Sequence, residues 1–229
     1  MSYPGVLCVW LKALPQQFKH GVVAALCVTG LSVSAGVSSA EGGVSSAAEA
    51  APATAERSIL QWIERMHSAP CARPDAGTFV VLAASGAMAS SRIWHACEGA
   101  QQMERVEALS GTPRTIFRRN DEVRTFWPQS RVVRSDRRDA SGLFPRVPVV
   151  EGTSISQFYA ARLVGQERVA GFVADVVWFK PVDSLRFGYK LWSERETGLV
   201  VKLQTLGANG RVLEQAAFSE LDLNAPVRV

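Results

Sequence analysis

Residues 171–192 (GFVADVVWFKPVDSLRFGYKLW) constrain the fold of this chain more than any other stretch. Successive side chains of a strand point to opposite faces, and residues 172–179 are apolar on nearly both faces. Pro181 ends the pairing because it has no N–H to give to a neighbouring strand. The alternation then resumes with Phe187, Tyr189 and Leu191. Two adjacent strands this rich in aromatic side chains predict a wide apolar space and cover on both sides.

The first 40 residues have the pattern of an export signal peptide. Lys12 and Lys19 precede an apolar run at residues 21–37, and the small residues that follow fit cleavage after Ala40. The alternative is a retained membrane anchor, although a run of about 17 residues that includes Gly and Ser is short for a span. Residues 41–54 are rich in Ala, Ser and Gly without periodicity, which predicts a flexible leader.

Folded structure is predicted to begin near residue 55 with an amphipathic helix. Its apolar residues follow the i, i+3, i+4, i+7 pattern, and Pro70 ends it. From Gly77 the hydrophobic period changes to two, and the connections are too short for parallel crossovers. The predicted strands are 77–83, 91–97, 102–110, 114–119, 122–127, 131–135, 172–179, 187–192, 199–206 and 211–221. A second, short helix is predicted at residues 154–163.

This order of elements predicts the fold class. An open antiparallel sheet of that size curls strongly because each strand twists relative to its neighbour. A helix on the concave face would fill the curve. We therefore predict an α+β fold over residues 55–223: a strongly curved antiparallel half-open β-barrel of about ten strands with helices on the concave face. Residues 224–229 are predicted to begin a linker.

Charge and motif content argue against nucleic-acid binding and against catalysis. Of the 25 Lys and Arg residues two lie in residues 1–40, which leaves 23 against 21 acidic residues. So slight an excess indicates no nucleic-acid partner. Past residue 40 the histidines are His67 and His95, and no second histidine or carboxylate lies at metal-ligand spacing beside His95. Because the chain has no G-x-S-x-G, H-E-x-x-H or P-loop motif, we predict no enzyme, no metal and no cofactor.

Two cysteines, Cys71 and Cys97, remain once the signal peptide is removed. In an oxidising compartment two cysteines can pair. Closing the loop between them would contribute about 3 kcal/mol in the chain-entropy account. The alternative is two unpaired thiols, one or both of them buried.

The order of short motifs along the chain resembles the large domain of the MucB/RseB family of sigma-E regulatory proteins. The matching stretches are 63–66 (IERM), 77–81 (GTFVV), 91–95 (SRIWH), 104–106 (ERV), 109–114 (LSGTPR), 144–145 (FP), 168–171 (RVAG), 181–183 (PVD), 186–192 (RFGYKLW), 197–199 (TGL) and 210–215 (GRVLEQ). No one stretch is specific, but the ordered set is. It extends from about residue 57 to 223.

The resemblance implies a periplasmic protein with a half-barrel like that of the lipoprotein carrier LolA and an apolar cavity. It implies a negative regulator of the sigma-E envelope-stress response that binds the periplasmic domain of a RseA/MucA-like anti-sigma factor and shields it from a site-one protease. Lipid or lipopolysaccharide sensed in the cavity would release that partner, which would hold the protein at the inner membrane as a peripheral component. The family also has a small C-terminal domain, which we expect to be absent because the sequence ends at Val229.

A second function class remains open for the same half-barrel. The alternative is a stand-alone periplasmic carrier of lipid or lipoprotein of the LolA type. The expected absence of the small domain favours the carrier slightly, and the motif match favours the regulator strongly.

Arginines are frequent between residues 114 and 138. Four of them are candidates for an anionic site: Arg131, Arg134, Arg137 and Arg138. The planar guanidinium binds carboxylates and phosphates in bidentate fashion, so acidic residues of the anti-sigma factor or lipid phosphates would fit. Neighbouring acidic residues offset part of this charge, and a solvated surface is the alternative.

Aromatic residues on the predicted strands are candidates for the lining of a lipid cavity. They are Phe79, Trp94, Trp127, Trp178, Phe179, Tyr189 and Trp192. A half-barrel cannot close fully over its own interior, so some of them are expected to face a ligand. The alternative is a plain apolar core. Strand phase puts Trp178 and Phe179 on opposite faces, so at most one of these two is expected to line the concave face.

Overall fold

A computed structural model describes residues 57–137 and 155–226. The predicted signal peptide, the flexible leader and Arg138 lie outside these residues. The elements are helices α1 (Ile59–Ser68) and α2 (Ile155–Phe158), a 3-10 turn (Ala69–Cys71) and strands β1 (Asp75–Ala83), β2 (Met88–Glu98), β3 (Gln101–Ala108), β4 (Thr115–Arg119), β5 (Glu122–Trp127), β6 (Val132–Arg137), β7 (Tyr159–Val169), β8 (Phe172–Pro181), β9 (Gly188–Glu194), β10 (Val200–Leu206) and β11 (Val212–Asp222).

Helix α1 begins at a capping box. The Gln61 N–H donates to Ser58 Oγ over 3.3 Å, and the Ser58 N–H donates to Gln61 Oε1 over 2.8 Å. These bonds satisfy donors that a helix N-terminus otherwise leaves free. The buried side chains of α1 are those that its periodicity predicts: Ile59, Trp62, Ile63 and Met66. One face of this helix is therefore committed to the core.

All eleven strands form one antiparallel sheet, in the order β6-β5-β4-β3-β2-β1-β11-β10-β9-β8-β7. Strands β6 and β7 are its two edges. Three strands separate β7 from β11 in this order, and yet β7 and β11 are in contact, so the sheet is strongly curled at that end. Irregularities in the pairing of β1 with β11 and of β10 with β9 add local bends. The predicted half-open, strongly curved antiparallel sheet is confirmed, with eleven strands rather than about ten.

The predicted second helix is wrong over most of its length. Only Ile155–Phe158 is helical, and the residues from Tyr159 onward belong to β7. Strand β7 pairs with β8 along its whole length, from Tyr159 opposite Pro181 to Val169 opposite Phe172. Because this ladder gives the backbone N–H and C=O groups of the segment long-range partners, tertiary pairing overrides a weak helical pattern.

Much of the core lies between α1 and one face of the sheet. Residues paired directly across strands share a face, so Val81, Ala216, Leu203, Leu191 and Val177 form one apolar row across five strands. All five are buried in the same cluster as the apolar face of α1. We refer to this side of the sheet as the α1 face. Within the described ranges no helix is both long and apolar enough to cross a membrane.

Candidate functional site

A cavity of about 40 Å³ lies between α1 and the sheet. Ile63 and Met66 line it from the helix, and Phe179, Leu191 and Phe218 line it from the sheet. One water needs roughly 10–15 Å³ of such volume, so the cavity has room for a few waters and not for an acyl chain. Helix α1 itself fills the concavity that the half-barrel creates.

Four of the seven candidate cavity aromatics lie on the α1 face. Phe179 lines the cavity, and Tyr189 is paired directly with it. The Phe79 ring contacts the Phe218 ring edge-on, with centroids 6.2 Å apart. Trp127 alternates with Val123 and Thr125 at the end of β5, on the same face. The first three are buried and belong to the core as much as to any cavity.

The other three candidates lie on the opposite face of the sheet, away from the space beneath α1. Trp94 stands between the guanidinium groups of Arg92 and Arg105, at 5.3 and 4.9 Å from its ring centroid. The Trp178 ring has the ammonium of Lys180 at 5.6 Å. Each of Trp94, Trp178 and Trp192 is adjacent in sequence to a residue that lines the cavity. Because adjacent side chains of a strand point to opposite faces, these three tryptophans cannot reach the cavity under α1.

Trp192 is buried although it faces away from α1. Its indole N–H donates to Glu167 Oε2 over 2.8 Å, and the Lys202 ammonium lies 4.1 Å from its ring centroid. Polar side chains cover this ring, as is usual for a tryptophan with one apolar and one polar side. Its contacts explain its burial without a ligand.

A row of ionisable side chains crosses four strands on the α1 face. Asp75, His95, Glu104 and Arg118 are paired in sequence from β1 to β4. All four are buried, each with at most 5% of its surface exposed. Oδ1 of Asp75 lies 3.2 Å from Nδ1 of His95, and Nη1 of Arg118 lies 3.3 Å from Oε2 of Glu104. Sequence inspection missed this row because each member is isolated in its own strand and only the register brings them together.

The ionisable groups of this row lie close to one another, but several of their nitrogen atoms lack an aligned hydrogen bond within the described part of the chain. None of the three guanidinium nitrogens of Arg118 makes an aligned hydrogen bond to a residue that the structure describes, and neither does His95 Nδ1. Burying charges costs free energy that their mutual attraction only partly returns. The row is therefore a polar site within an apolar face, and Arg118 is not one of the solvated arginines that its sequence neighbourhood indicates.

A disulfide joins α1 to the sheet beside this row. The sulfurs of Cys71 and Cys97 are 2.03 Å apart, and the bond links the 3-10 turn after α1 to the end of β2. Nε2 of His95 lies 3.7 Å from Cys97 Sγ. These three residues bring one nitrogen and two sulfurs within 4.8 Å of one another. The sequence signal for this cluster is the His95-x-Cys97 spacing, which places both side chains on one face of β2.

The candidate anion-binding arginines lie at the β6 edge of the sheet. Arg134 Nε lies 2.9 Å from Asp136 Oδ2, and Arg137 Nε lies 3.9 Å from Asp121 Oδ2. The side chains of Arg134 and Arg137 are 66% and 88% exposed, and Arg131 is exposed as well. Exposed pairs of this kind contribute little to stability, so these guanidinium groups are accessible to another anion.

Glu214 on β11 is a half-buried carboxyl at the other end of the α1 face. It is paired with Thr205, whose other neighbour is Tyr189. Burial raises the pKa of Glu214 to about 7. Burial, together with Tyr159 and Glu214, also raises the pKa of the Tyr189 hydroxyl above its ordinary value. This end of the face changes charge near neutral pH.

The sequence profile of the MucB/RseB N-terminal domain matches residues 58–229. The chain belongs to the MucB/RseB family. MucB of Pseudomonas aeruginosa, a regulatory protein of the sigma factor AlgU, is 32% identical over 178 residues, which are 77% of this chain and 54% of MucB. RseB of Haemophilus influenzae is 26% identical over 128 residues, 56% of this chain and 41% of RseB. The predicted family membership is confirmed.

Solved MucB structures share the fold. The crystal structure of MucB superposes with a TM-score of 0.61 and 27% identity, covering 74% of this chain and 60% of MucB. MucB in complex with MucA(peri) gives a TM-score of 0.60 and 26% identity over 74% of this chain and 57% of that chain. The chain thus spans little more than half the length of the MucB proteins that it matches.

Proposed function

We propose that this chain is a periplasmic negative regulator of the sigma-E envelope-stress response. In this proposal it binds the periplasmic domain of a RseA/MucA-like anti-sigma factor and senses lipid or lipopolysaccharide beneath α1. The observation that carries the proposal is the likeness to MucB in its complex with MucA(peri), over 74% of this chain.

The surface that we assign to the anionic part of the partner is the β6 edge. Arg131, Arg134 and Arg137 are exposed there, and the acidic neighbours of the last two are themselves partly exposed. A basic rim of this kind raises the rate of association with an acidic segment and makes it sensitive to salt.

Calorimetric titration at several salt concentrations tests binding to the anti-sigma factor. The two components are the purified chain without its predicted signal peptide and the periplasmic domain of a RseA/MucA-like protein. We expect saturable 1:1 binding. The triple variant Arg131→Gln, Arg134→Gln, Arg137→Gln is expected to bind about tenfold more weakly, which corresponds to about 1.4 kcal/mol, with a shallower salt dependence.

The matched control is Arg168→Gln. Arg168 is also an exposed arginine of an edge strand, but it lies on β7, at the other edge of the sheet from β6. It is expected to leave affinity and salt slope unchanged. Absence of binding by the wild-type chain would overturn the regulatory proposal, and an unchanged triple variant would remove only the assignment of the β6 edge.

Lipid sensing in this proposal requires α1 to move. The apolar side chains under α1 form a large surface, whereas the cavity itself is about 40 Å³. A lipid carrier needs a cavity that is already large enough for its cargo. The alternative of a stand-alone lipid carrier is therefore less consistent with a cavity of this volume. For a sensor, displacement of the helix by an acyl chain is itself the conformational signal.

A further inference from the structure

We propose that Cys71, His95 and Cys97 bind a zinc ion when the disulfide between the two cysteines is reduced. The described residues hold this one group of three metal-ligating side chains whose donor atoms lie within 4.8 Å of one another. Two thiolates and one imidazole are a ligand set that zinc prefers, in tetrahedral geometry with the fourth position left for water.

The distances fit such a site with little movement. In a tetrahedral zinc site a sulfur and a nitrogen ligand lie ~3.5 Å apart and two sulfurs ~3.8 Å apart, given Zn–S and Zn–N bonds of ~2.3 and ~2.0 Å. Cys97 Sγ and His95 Nε2 already lie 3.7 Å apart. The two sulfurs, which are bonded to each other in the disulfide, must separate. Cys71 lies in a short turn and is exposed, so the movement falls on an accessible residue.

Asp75 lies beside the imidazole nitrogen that would face away from the zinc. Its Oδ1 lies 3.2 Å from His95 Nδ1, and both side chains are almost fully buried. A carboxylate beside one ring nitrogen favours the tautomer that leaves the lone pair of the other nitrogen free for a metal. His95 Nε2, the atom near Cys97, is therefore the donor. The exposed Cys71 provides the route of entry.

The redox step balances with a phosphine as the reductant. The phosphine gives two electrons to the disulfide and is oxidised to the phosphine oxide with the oxygen of one water, while the two protons of that water go to the sulfurs. Zinc binding then releases both thiol protons, because the thiolate is the ligand. The metal replaces the covalent link between the end of α1 and β2.

The test is zinc titration of the reduced, desalted chain under anaerobic conditions, in competition with a chromophoric chelator. Cobalt is titrated in parallel, because it reports thiolate ligands through a charge-transfer band. We expect one equivalent of either ion per reduced chain and no binding by the oxidised chain. His95→Gln and Cys71→Ser are each expected to weaken zinc binding by more than tenfold, and Asp75→Asn by 10- to 100-fold.

His67→Asn is the matched control, since His67 lines the same cavity without being one of the three ligands. It is expected to bind zinc as the wild type does. Cys71→Ser removes an exposed ligand and has no disulfide to lose relative to the reduced wild type, so it tests the site even if a buried variant fails to fold. Reduced wild type that binds zinc no better than Cys71→Ser, or a folded His95→Gln variant of equal affinity, would overturn the proposal.

Discussion

At the scale of single residues, Glu214 links stability to pH. Burial raises its pKa to about 7 in the folded chain, against an ordinary value of 4.5. Between these two values the folded state keeps a proton that the unfolded state has lost, so stability falls as the pH rises through this window. The loss of stability that Glu214 causes reaches its full size above about pH 7 and is absent below about pH 4.5.

Glu214→Gln is expected to remove this pH dependence. Because the side chain is only half-buried and solvent screens it, we expect the variant to be more stable than the wild type by on the order of 1 kcal/mol at pH 8. The two should converge as the pH falls towards 4.5. Urea unfolding at pH 5 and pH 8 measures the difference.

The control for this experiment is Glu220→Gln on the same strand, where the side chain is exposed. It is expected to change stability equally little at both values of pH. A Glu214→Gln variant whose advantage does not grow between pH 5 and pH 8 would contradict the assignment.

At the scale of elements, the disulfide determines how α1 is held. It joins residues 26 apart in sequence, Cys71 beyond the C-terminal end of α1 and Cys97 near the end of β2. The N-terminal end of α1 is held by the capping box and by packing, with the Arg57 guanidinium 5.0 Å from the Trp62 ring centroid. The C-terminal end of α1, next to the disulfide, is therefore anchored more firmly than its N-terminal end.

Cys71→Ser is expected to lower the free energy of unfolding by about 3 kcal/mol, because it frees the unfolded chain from a closed loop of 26 residues. Since Cys71 is exposed, little packing is lost with it. Urea unfolding of the variant beside oxidised and reduced wild type, all with a chelator present, measures the effect. Reduced wild type should match the variant, and equal stability of oxidised wild type and variant would show that the crosslink contributes nothing.

At the scale of the whole molecule, α1 and the sheet form two walls of an apolar interior, and the cavity between them is about 40 Å³. Strands β1, β11, β10, β9 and β8 supply the wall opposite α1. In the proposed lipid sensing, the helix moves away to make room for the ligand. A ligand that binds the open arrangement shifts the population towards it by its difference in affinity for the two arrangements.

Binding of a long-chain fatty acid or of lipid A is therefore expected to expose the backbone of α1. Hydrogen exchange should increase in residues 59–68 and stay unchanged in β9 and β10, since these strands keep their neighbours. A short-chain acid with the same carboxyl head serves as the control and is expected to have no effect. Lipid binding that leaves exchange in α1 unchanged would exclude helix displacement, and absence of binding would exclude the lipid-sensing part of the proposal.

The sequence by itself determined the local elements and the class of fold. The 3.6-residue period of α1, the alternation of the strands and the short connections are encoded within a few residues of one another, and the buried face of α1 is the one that this period predicts. The identity of β7 was not encoded in this way, because Tyr159–Leu163 becomes a strand only through its partner β8.

Only the tertiary structure decided which side chains meet. Strand phase already places Trp178 and Phe179 on opposite faces, but only the fold shows that Phe179 is the one that lines the cavity. The row from Asp75 to Arg118 and the cluster of His95 with the two cysteines arise from strand register and from the turn after α1. Register and the docking of a helix are set by the sum of long-range contacts, so no local pattern contains them.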